Sequence, residues 1–308
     1  MLLERDDGFL WLDIPSFDEG SAQLLSDLFH FHPHAIKDCL DKRHIPKIHT
    51  YPDHVFVILH DVEFGAEGRG HMLELDQFVG ERYLVTVHGR PGSTVPAEAM
   101  LRQTGSTLRR METGGLQPRT PAELGAAIVS AIVLRLENLI SEIADQVAKL
   151  ERVVVEAEKR NPQEFIEQLY RLRHELLTIG TMAGLSREAF AGRLTVARTS
   201  APPERIAIIE DLIDQYEHLQ SACDAERAFL DQVLDFFQAR TVTTMNIAMQ
   251  RLALIAAILL PISAISGIYG MNVIVNQQTD FPHVAAVLLL MGVVIGLMLR
   301  WTKRQGWW

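Results

Sequence analysis

Histidine is concentrated near the start of the chain, where its spacing could support metal binding. Seven of the twelve histidines lie between His30 and His60, and those from His30 to His34 occupy alternate positions. On a β-strand, alternate side chains share one face, and three imidazoles on one face could hold zinc. However, Pro33 would interrupt a regular strand, and no cysteine or tight carboxylate cluster completes a ligand set. A surface or turn role is therefore favoured over a metal site.

Signatures of enzymes and nucleic-acid-binding proteins are missing from the sequence. It contains no nucleophile elbow, no His-Glu-x-x-His pair, no dinucleotide fingerprint and no phosphate-binding loop. Cys39 and Cys223 are isolated, so we expect two free cytosolic thiols. The net charge of −10 argues against a basic nucleic-acid footprint. We therefore expect neither an enzyme nor a nucleic-acid-binding protein, and no cofactor.

Two apolar stretches near the end of the chain predict a membrane anchor or pathway. Leu252 to Asn272 contains no Asp, Glu, Lys, Arg or His, and a second apolar stretch follows from Val284 to Leu299. A spanning helix needs ~20 mostly apolar residues, and an internal proline is tolerated. We predict membrane helices at about 250–271 and 282–301, which occupy a membrane domain at 245–308.

The distribution of basic residues predicts the orientation of this pair in the cell membrane. Arginine and lysine flank both stretches on one side, whereas the connecting loop contains neither. By the positive-inside rule, both termini are cytoplasmic and the loop lies outside. The N-terminal segment carries early acidic residues and lacks an apolar core, so it is not expected to be a signal peptide.

The region before the apolar stretches predicts two further domains and an α+β membrane protein overall. A cytosolic α/β domain at 1–120 has expected strands at Phe9–Ile14, His54–His60 and Tyr83–His88, and expected helices at Asp18–Leu28 and Ala35–Leu40. A long-helix domain at 121–244 has an expected helix at Ala122–Arg160, an antiparallel partner at Gln163–Phe190 and a connection at Gly192–Pro203. From Glu204, a helical pattern runs without interruption into the first apolar stretch.

One face of that helix combines polar and apolar residues at steps of three or four. Its members are Asn246, Met249, Leu252, Ala256, Leu260 and Ser263. The apolar members fit a pore lining and a lipid-facing stripe equally well, but an amide at position 246 favours a wet pore. Because two helices cannot enclose a pathway, either they form an anchor or several copies assemble around a pore.

The end of the first apolar stretch, Tyr269-Gly270-Met271-Asn272, resembles the GMN motif of the CorA-type divalent-cation channels. The resemblance also covers most of the soluble part, through Phe31-His32-Pro33 with Asp38, through Ile45-Pro46-Lys47-Ile48, through a strand at Tyr51–Leu59 and through Asp211-Leu212-Ile213-Asp214. It implies a homopentamer with a cytosolic long-helix funnel, whose first membrane helix lines the pore.

The resemblance also implies roles for individual residues. Gly270, Met271 and Asn272 would form the outer selectivity filter, with Tyr269 supporting it. Asn246, Met249 and Leu252 match pore positions of the family, where methionine and leucine would form a hydrophobic constriction. Asp38 and Asp211 match acidic positions that bind regulatory Mg²⁺ between subunits.

We therefore expect a passive channel for hydrated divalent cations, Mg²⁺ first and Co²⁺ or Ni²⁺ as further cargo, with gating by intracellular Mg²⁺ left open. Lys37 and Ser130 stand where extra acidic ligands can occur in the family, and the loop after Asn272 carries one carboxylate, Asp280. The single carboxylate in the loop after Asn272 leaves the preferred ion open. The alternatives are a zinc transporter of the same superfamily, with or without proton coupling, and a membrane-tethered scaffold without transport.

Overall fold

A computed structural model describes residues 8–41, 45–65, 70–89, 96–156, 161–270 and 281–304. The chain divides into two compact units, Met1–Leu234 and Asp235–Trp308. The strands are β1 (Leu10–Ile14), β2 (Lys47–Thr50), β3 (His54–Phe64), β4 (Gly70–Gly80) and β5 (Tyr83–His88). The helices are α1 (Glu19–Phe29), α2 (Pro33–Leu40), α3 (Ala97–Met100), α4 (Arg102–Glu112), α5 (Pro121–Val155), α6 (Pro162–Ser200), α7 (Pro203–Gly270) and α8 (Phe281–Arg304).

The strands form one mixed sheet in the order β1-β5-β4-β3-β2. β1 and β5 pair in parallel, and the other neighbours are antiparallel. β-Branched and aromatic residues, which fill β3 and β5, favour such a pleated, half-buried surface. The register aligns Phe56 with Phe78 and Phe78 with Val85, so that alternate side chains of three strands form a continuous apolar row.

Helices cover both faces of the sheet. α1 and α2 lie on one face, where Leu25, Phe31 and Ala35 join the aromatic row in one buried cluster. α5 lies on the other face, and a side chain at Gly125 would meet Gln77 Oε1 at 2.9 Å. Both faces are thereby removed from water, which is the main favourable contribution to folding.

Local sequence signals define the starts of the main helices. The Asp18 carboxylate accepts a hydrogen bond from the Ser21 N–H at 2.8 Å, and Thr120 and Asn161 act in the same way before α5 and α6. Pro121 and Pro162 occupy the first helical position, where no N–H is needed. α1 ends at His30, which adopts the left-handed conformation with φ 54°.

The long helices of the first unit pack antiparallel. Late residues of α6 contact early residues of α7: Arg198 pairs with Glu210 at 3.0 Å, and Phe190 stacks on Tyr216. Earlier in α6, Arg173 pairs with Asp231 at 3.3 Å. Between these contacts α6 passes close to α7, since a Cβ added to Gly180 would lie 3.2 Å from Cys223 Cβ.

The predicted fold class is confirmed as a sheet domain followed by long helices and two apolar C-terminal helices. The expected strands at β1, β3 and β5 were right, whereas β2, β4 and α4 were missed. The predicted connection at Gly192–Pro203 was wrong, because α6 continues to Ser200. Gly192 costs a helix only about 1 kcal/mol, and the tandem prolines at 202 and 203 provide the actual break.

We predict that Gly180→Leu destabilises the protein relative to Gly192→Leu by about 1–3 kcal/mol, the usual cost of overpacking. Both substitutions gain helix propensity, but only the side chain at 180 collides with α7, since nothing lies within 4 Å of a Cβ at 192. Thermal unfolding of the full chain measures the difference. Equal midpoints for the two variants would contradict the close approach of α6 and α7.

Candidate functional site

The uncharged part of α7 forms one uninterrupted helix. It continues through Pro261, which removes one backbone donor but is tolerated in apolar helices, and it ends at Gly270. Tyr269 and Gly270 are thus its last helical residues. Met271 and Asn272, the other two predicted filter residues, lie outside the described residues.

The predicted pore-lining residues share one exposed face of α7. Asn246, Met249, Leu252, Ala256, Leu260 and Ser263 are all exposed in the single chain. At 100° per residue they fall within an arc of roughly 120°. Leu252 and Leu260 are 66% and 68% exposed, which is high for leucine in a folded chain. This face is therefore free to meet something outside the single chain.

The opposite face of the same helix is partly buried. Its members are Leu254, Ala257, Ile258, Pro261, Ile262 and Ile265. α8 has a comparable stripe of partly buried positions, at Val287, Met291, Val294, Ile295, Met298 and Leu299. Each of the two helices thus has one shielded side and one side that the chain leaves uncovered.

Three described helices are long and apolar enough to cross a membrane, by length and composition: α5, α7 and α8. α5 differs because 44% of its apolar window is buried, whereas the windows of α7 and α8 are 0% and 6% buried. The apolar side of α5 is occupied by the sheet and by α6. Only α7 and α8 present unburied apolar surface of the kind that a bilayer would cover.

Asp38 lies in a buried, predominantly acidic cluster. It projects from α2, is 8% exposed and forms an ion pair with Lys47 of β2. Asp76 and Glu74 of β4 are also buried in this region. Lys47 therefore already neutralises the carboxylate that a regulatory cation would need.

Asp76 occupies the centre of the apolar face of the sheet, opposite Ile58 on β3 and Val87 on β5. Burial raises its pKa well above the usual range, and the charge of Glu74 adds to the effect. The Cys39 thiol hydrogen-bonds to it, which opposes the shift. The raised pKa favours a protonated Asp76.

Asp211 has a different environment. It is exposed on α7, where it accepts a hydrogen bond from Gln215 Nε2 at 2.7 Å. Within the described residues of this one chain, no group of three or more His, Cys, Asp or Glu side chains could hold a metal ion. The proposed regulatory role of Asp38 and Asp211 thus depends on contacts between chains.

The alternating histidines His30, His32 and His34 lie at the end of α1 and the start of α2. His30 ends α1, and His32 Nδ1 accepts a hydrogen bond from the His34 N–H at 3.2 Å as the cap of α2. The ring of His32 stacks on those of His34 and Tyr51. Pro33 begins α2 instead of interrupting a strand.

A buried ionic network at the end of β3 was missed from the sequence. Arg135 of α5 contacts Asp61 at 2.6 Å and also pairs with Glu63, while Gln103 of α4 donates to Asp61 at 2.9 Å. Burial raises the pKa of Asp61, and the nearby Arg135 guanidinium opposes this. Asp61 and Glu63 are two positions apart on β3, so both side chains lie on the same face of the sheet, which α5 covers.

Comparisons with known proteins agree with this architecture. The model of a protein family described as "CorA-like Mg2+ transporter protein" matches residues 6–304. The "Putative metal ion transporter YfjQ" of Bacillus subtilis (strain 168) is 25% identical, over 99% of this chain and 91% of its own. The "Cobalt/magnesium transport protein CorA" of Thermotoga maritima is 22% identical, over 96% of this chain and 83% of its own.

Among solved structures, the magnesium transporter CorA of Methanocaldococcus jannaschii has a similar fold. The two superpose with a TM-score of 0.78 at 20% identity, covering 97% of this chain and 91% of that one. The likeness spans both the sheet domain and the C-terminal helices.

We predict that Asp76→Asn raises the stability of the full chain at pH 8 by about 1–3 kcal/mol, because burying an ionised or poorly paired carboxyl is unfavourable. An unfolded aspartate titrates near pH ~4, so the wild type loses stability as the pH rises from there through the raised pKa of the folded state. The gain should disappear near pH 4. Thermal unfolding across this range, with the exposed Asp214→Asn as control, tests the sign. A variant less stable than wild type at pH 8 would contradict it.

Proposed function

The chain belongs to the CorA-like Mg²⁺ transporter protein family, and we propose that it conducts hydrated divalent cations through a membrane as a homopentamer. The observation that carries the proposal is the exposed face of α7 that holds Asn246, Met249 and Leu252. This face continues into the uncharged stretch that begins at Leu252 and ends in the Gly270-Met271-Asn272 motif. The names of the relatives in Thermotoga and Methanocaldococcus support Mg²⁺ as the main ion and Co²⁺ as further cargo.

Assembly follows from the number of membrane helices. α7 and α8 cannot surround an ion by themselves, so the pathway requires several copies. Since the face opposite the candidate pore lining of α7 is partly buried within the chain, that face is unsuited to line a water-filled path. The candidate pore lining is exposed, as are Ile255 and Leu259 beside it, and five copies would place five such faces around one axis.

The chemistry of Asn272 suits the outer end of such a pathway. Mg²⁺ gives up its water reluctantly, so neutral amide oxygens can accept hydrogen bonds from the hydrated ion without binding it tightly. Conduction requires such weak, reversible sites. Gly270 and Met271 would shape the backbone that presents the Asn272 amide, and Tyr269 would support it from the end of α7.

The inner part of the pathway combines one polar and several apolar positions. Rings of Met249 and Leu252 would narrow the path and close it by excluding water, with Ala256, Leu260 and Ser263 continuing the lining. Asn246 would supply an amide ring at the cytoplasmic end. Both termini lie in the cytoplasm in this proposal.

Voltage is a sufficient driving force. An interior at −100 mV favours the entry of a doubly charged ion by about 4.6 kcal/mol. No Asp, Glu, Lys, Arg or His lies between Leu252 and Asn272 or between Val284 and Leu299, which argues against a proton relay in the pore. A zinc transporter of the same superfamily, with or without proton coupling, and a scaffold without transport are the alternatives that measurement must separate.

Regulation by intracellular Mg²⁺ is part of the proposal through Asp38 and Asp211. A cation held between acidic surfaces of neighbouring subunits would cancel their repulsion and favour one state of the assembly. Asp211 is exposed and available for such a contact. Asp38 would have to exchange Lys47 for the cation, which weakens any site that uses it.

We expect Mg²⁺ flux into proteoliposomes that follows the imposed voltage and is unaffected by a pH gradient. Asn272→Ala should lower the flux roughly tenfold, as a barrier higher by ~1.4 kcal/mol would. Asn276→Ala, a change to the same residue type in the following loop, is the control. Zinc flux that follows the pH gradient without Mg²⁺ flux would support the alternative transporter, and indifference to Asn272→Ala would support the scaffold.

We predict that cysteines at the exposed face of α7 react with a water-soluble cationic thiol reagent in the membrane. Leu252→Cys and Leu260→Cys should react at least about ten times faster than Leu254→Cys on the partly buried face, since the thiolate must meet water to react. The background is low because Cys39 and Cys223 are buried. Labelling of positions 252 and 260 by lipid-soluble reagents alone would place this face in lipid.

We expect Asp211→Ala to weaken inhibition by clamped internal Mg²⁺ and to leave the flux at low internal Mg²⁺ intact. The physical reason is the loss of one carboxylate from the proposed contact between subunits. Asp224→Ala, which removes another exposed carboxylate of α7, is the matched control. Unchanged inhibition would remove Asp211 from the proposed sensor.

A further inference from the structure

A cavity of about 240 Å³ lies in the first unit, away from the residues assigned above. β2 and β3, the start of α5, the end of α6 and the start of α7 surround it. Its walls are largely apolar, with Ile48, Val57, Val129, Phe190, Ile209 and Leu212 among them. Ligand pockets usually measure roughly 300–1,000 Å³, so this cavity suits a small ligand.

Two arginines line the same cavity, and neither forms an ion pair with another described residue. Arg193 comes from the last turns of α6 and Arg205 from the first turn of α7. Nη1 of Arg193 is buried and has no hydrogen-bond partner among the described residues. Burial and the positive charge of Arg205 lower the pKa of Arg193. Arg205 is exposed, so water screens part of the repulsion between the two positive charges, and an anion bound beside both would neutralise the rest.

The remaining charged groups of the lining limit the charge of the ligand. Asp53 already contacts Nδ1 of His54 at 2.8 Å, and Glu81 is exposed in the turn between β4 and β5. Neither carboxylate pairs with Arg193 or Arg205 within the part of the chain that the structure describes. Both would repel a multiply charged ligand at the rim, so a monoanion fits best.

We propose that this cavity binds a small amphipathic monoanion, whose carboxylate pairs with Arg193 and Arg205 while its apolar part occupies the walls. Guanidinium groups recognise carboxylates through paired, charge-assisted hydrogen bonds. An alkyl or aryl group displaces water from the apolar surface of the cavity. The ligand would join the end of α6, the start of α7 and the edge of the sheet. The proposal concerns ligand binding, so its test does not depend on whether the chain transports ions.

Calorimetric titration of hexanoate into the full chain in lipid nanodiscs, with empty nanodiscs subtracted, tests this site. We expect saturable binding of hexanoate, at least tenfold weaker binding of hexan-1-ol and no saturable binding of hexylammonium. Arg193→Gln and Arg205→Gln should each weaken hexanoate binding about tenfold, the effect of losing ~1.4 kcal/mol. Arg198→Gln is the matched control, because that nearby arginine of α6 already pairs with Glu210.

Five outcomes would overturn the proposal. Equal affinity for hexan-1-ol and hexanoate would mean that the arginines do not recognise the ligand. Equal affinity for inorganic phosphate would mean that the apolar walls do not contribute. Absence of saturable heat, or an unchanged affinity in both arginine variants, would exclude the site. Ala126→Phe, which places a large side chain in the cavity, should abolish hexanoate binding without altering the two arginines, and retained binding in that variant would place the ligand elsewhere.

Discussion

A hydrated divalent cation needs polar surroundings throughout the hydrocarbon core of a membrane, and this constraint governs the organisation of the chain. Its two apolar stretches, Leu252 to Asn272 and Val284 to Leu299, contain no charge that could accompany the ion. Each helix satisfies its backbone internally, so it is stable in lipid but offers an ion almost nothing by itself. In the proposed pathway, the amides at positions 246 and 272 and a few hydroxyls supply the polar groups, and several copies of the chain would join them into a continuous path.

The first unit differs from the apolar stretches, because it keeps polar groups inside an apolar core. Asp61 and Glu63 are matched by Arg135, and Asp38 is matched by Lys47. No described cation is in contact with Asp76, and its burial favours the neutral form. Paired charges of this kind contribute little to net stability, but their removal one at a time is costly. Arg193 is not matched in this way, since its buried Nη1 has no hydrogen-bond partner within the described part of the chain.

The elements that could be predicted from the sequence are those with a strong local signal. β3 and β5 are rich in β-branched residues, and α5 has a long apolar stripe with a proline at its start. β4 was missed because polar residues at its centre, Asp76 and Gln77, hide the alternation, although both are buried by helices on the two faces. Gly192 was mistaken for a break because an isolated glycine resembles a helix end, whereas packing of α6 against α7 maintains the helix beyond it.

The sequence by itself determined the membrane pair, the family and the residues that could line a pathway, because missing charge, residue order and helical spacing are local properties. It could not decide which side of α7 is free, since pore-lining and lipid-facing stripes share one spacing. The folded chain distinguishes the two sides of that helix by burying one of them partly. Tertiary structure alone also brought Lys47 to Asp38 and placed Arg193 beside Arg205, because these pairs come from separate elements whose approach depends on the packing of the whole unit.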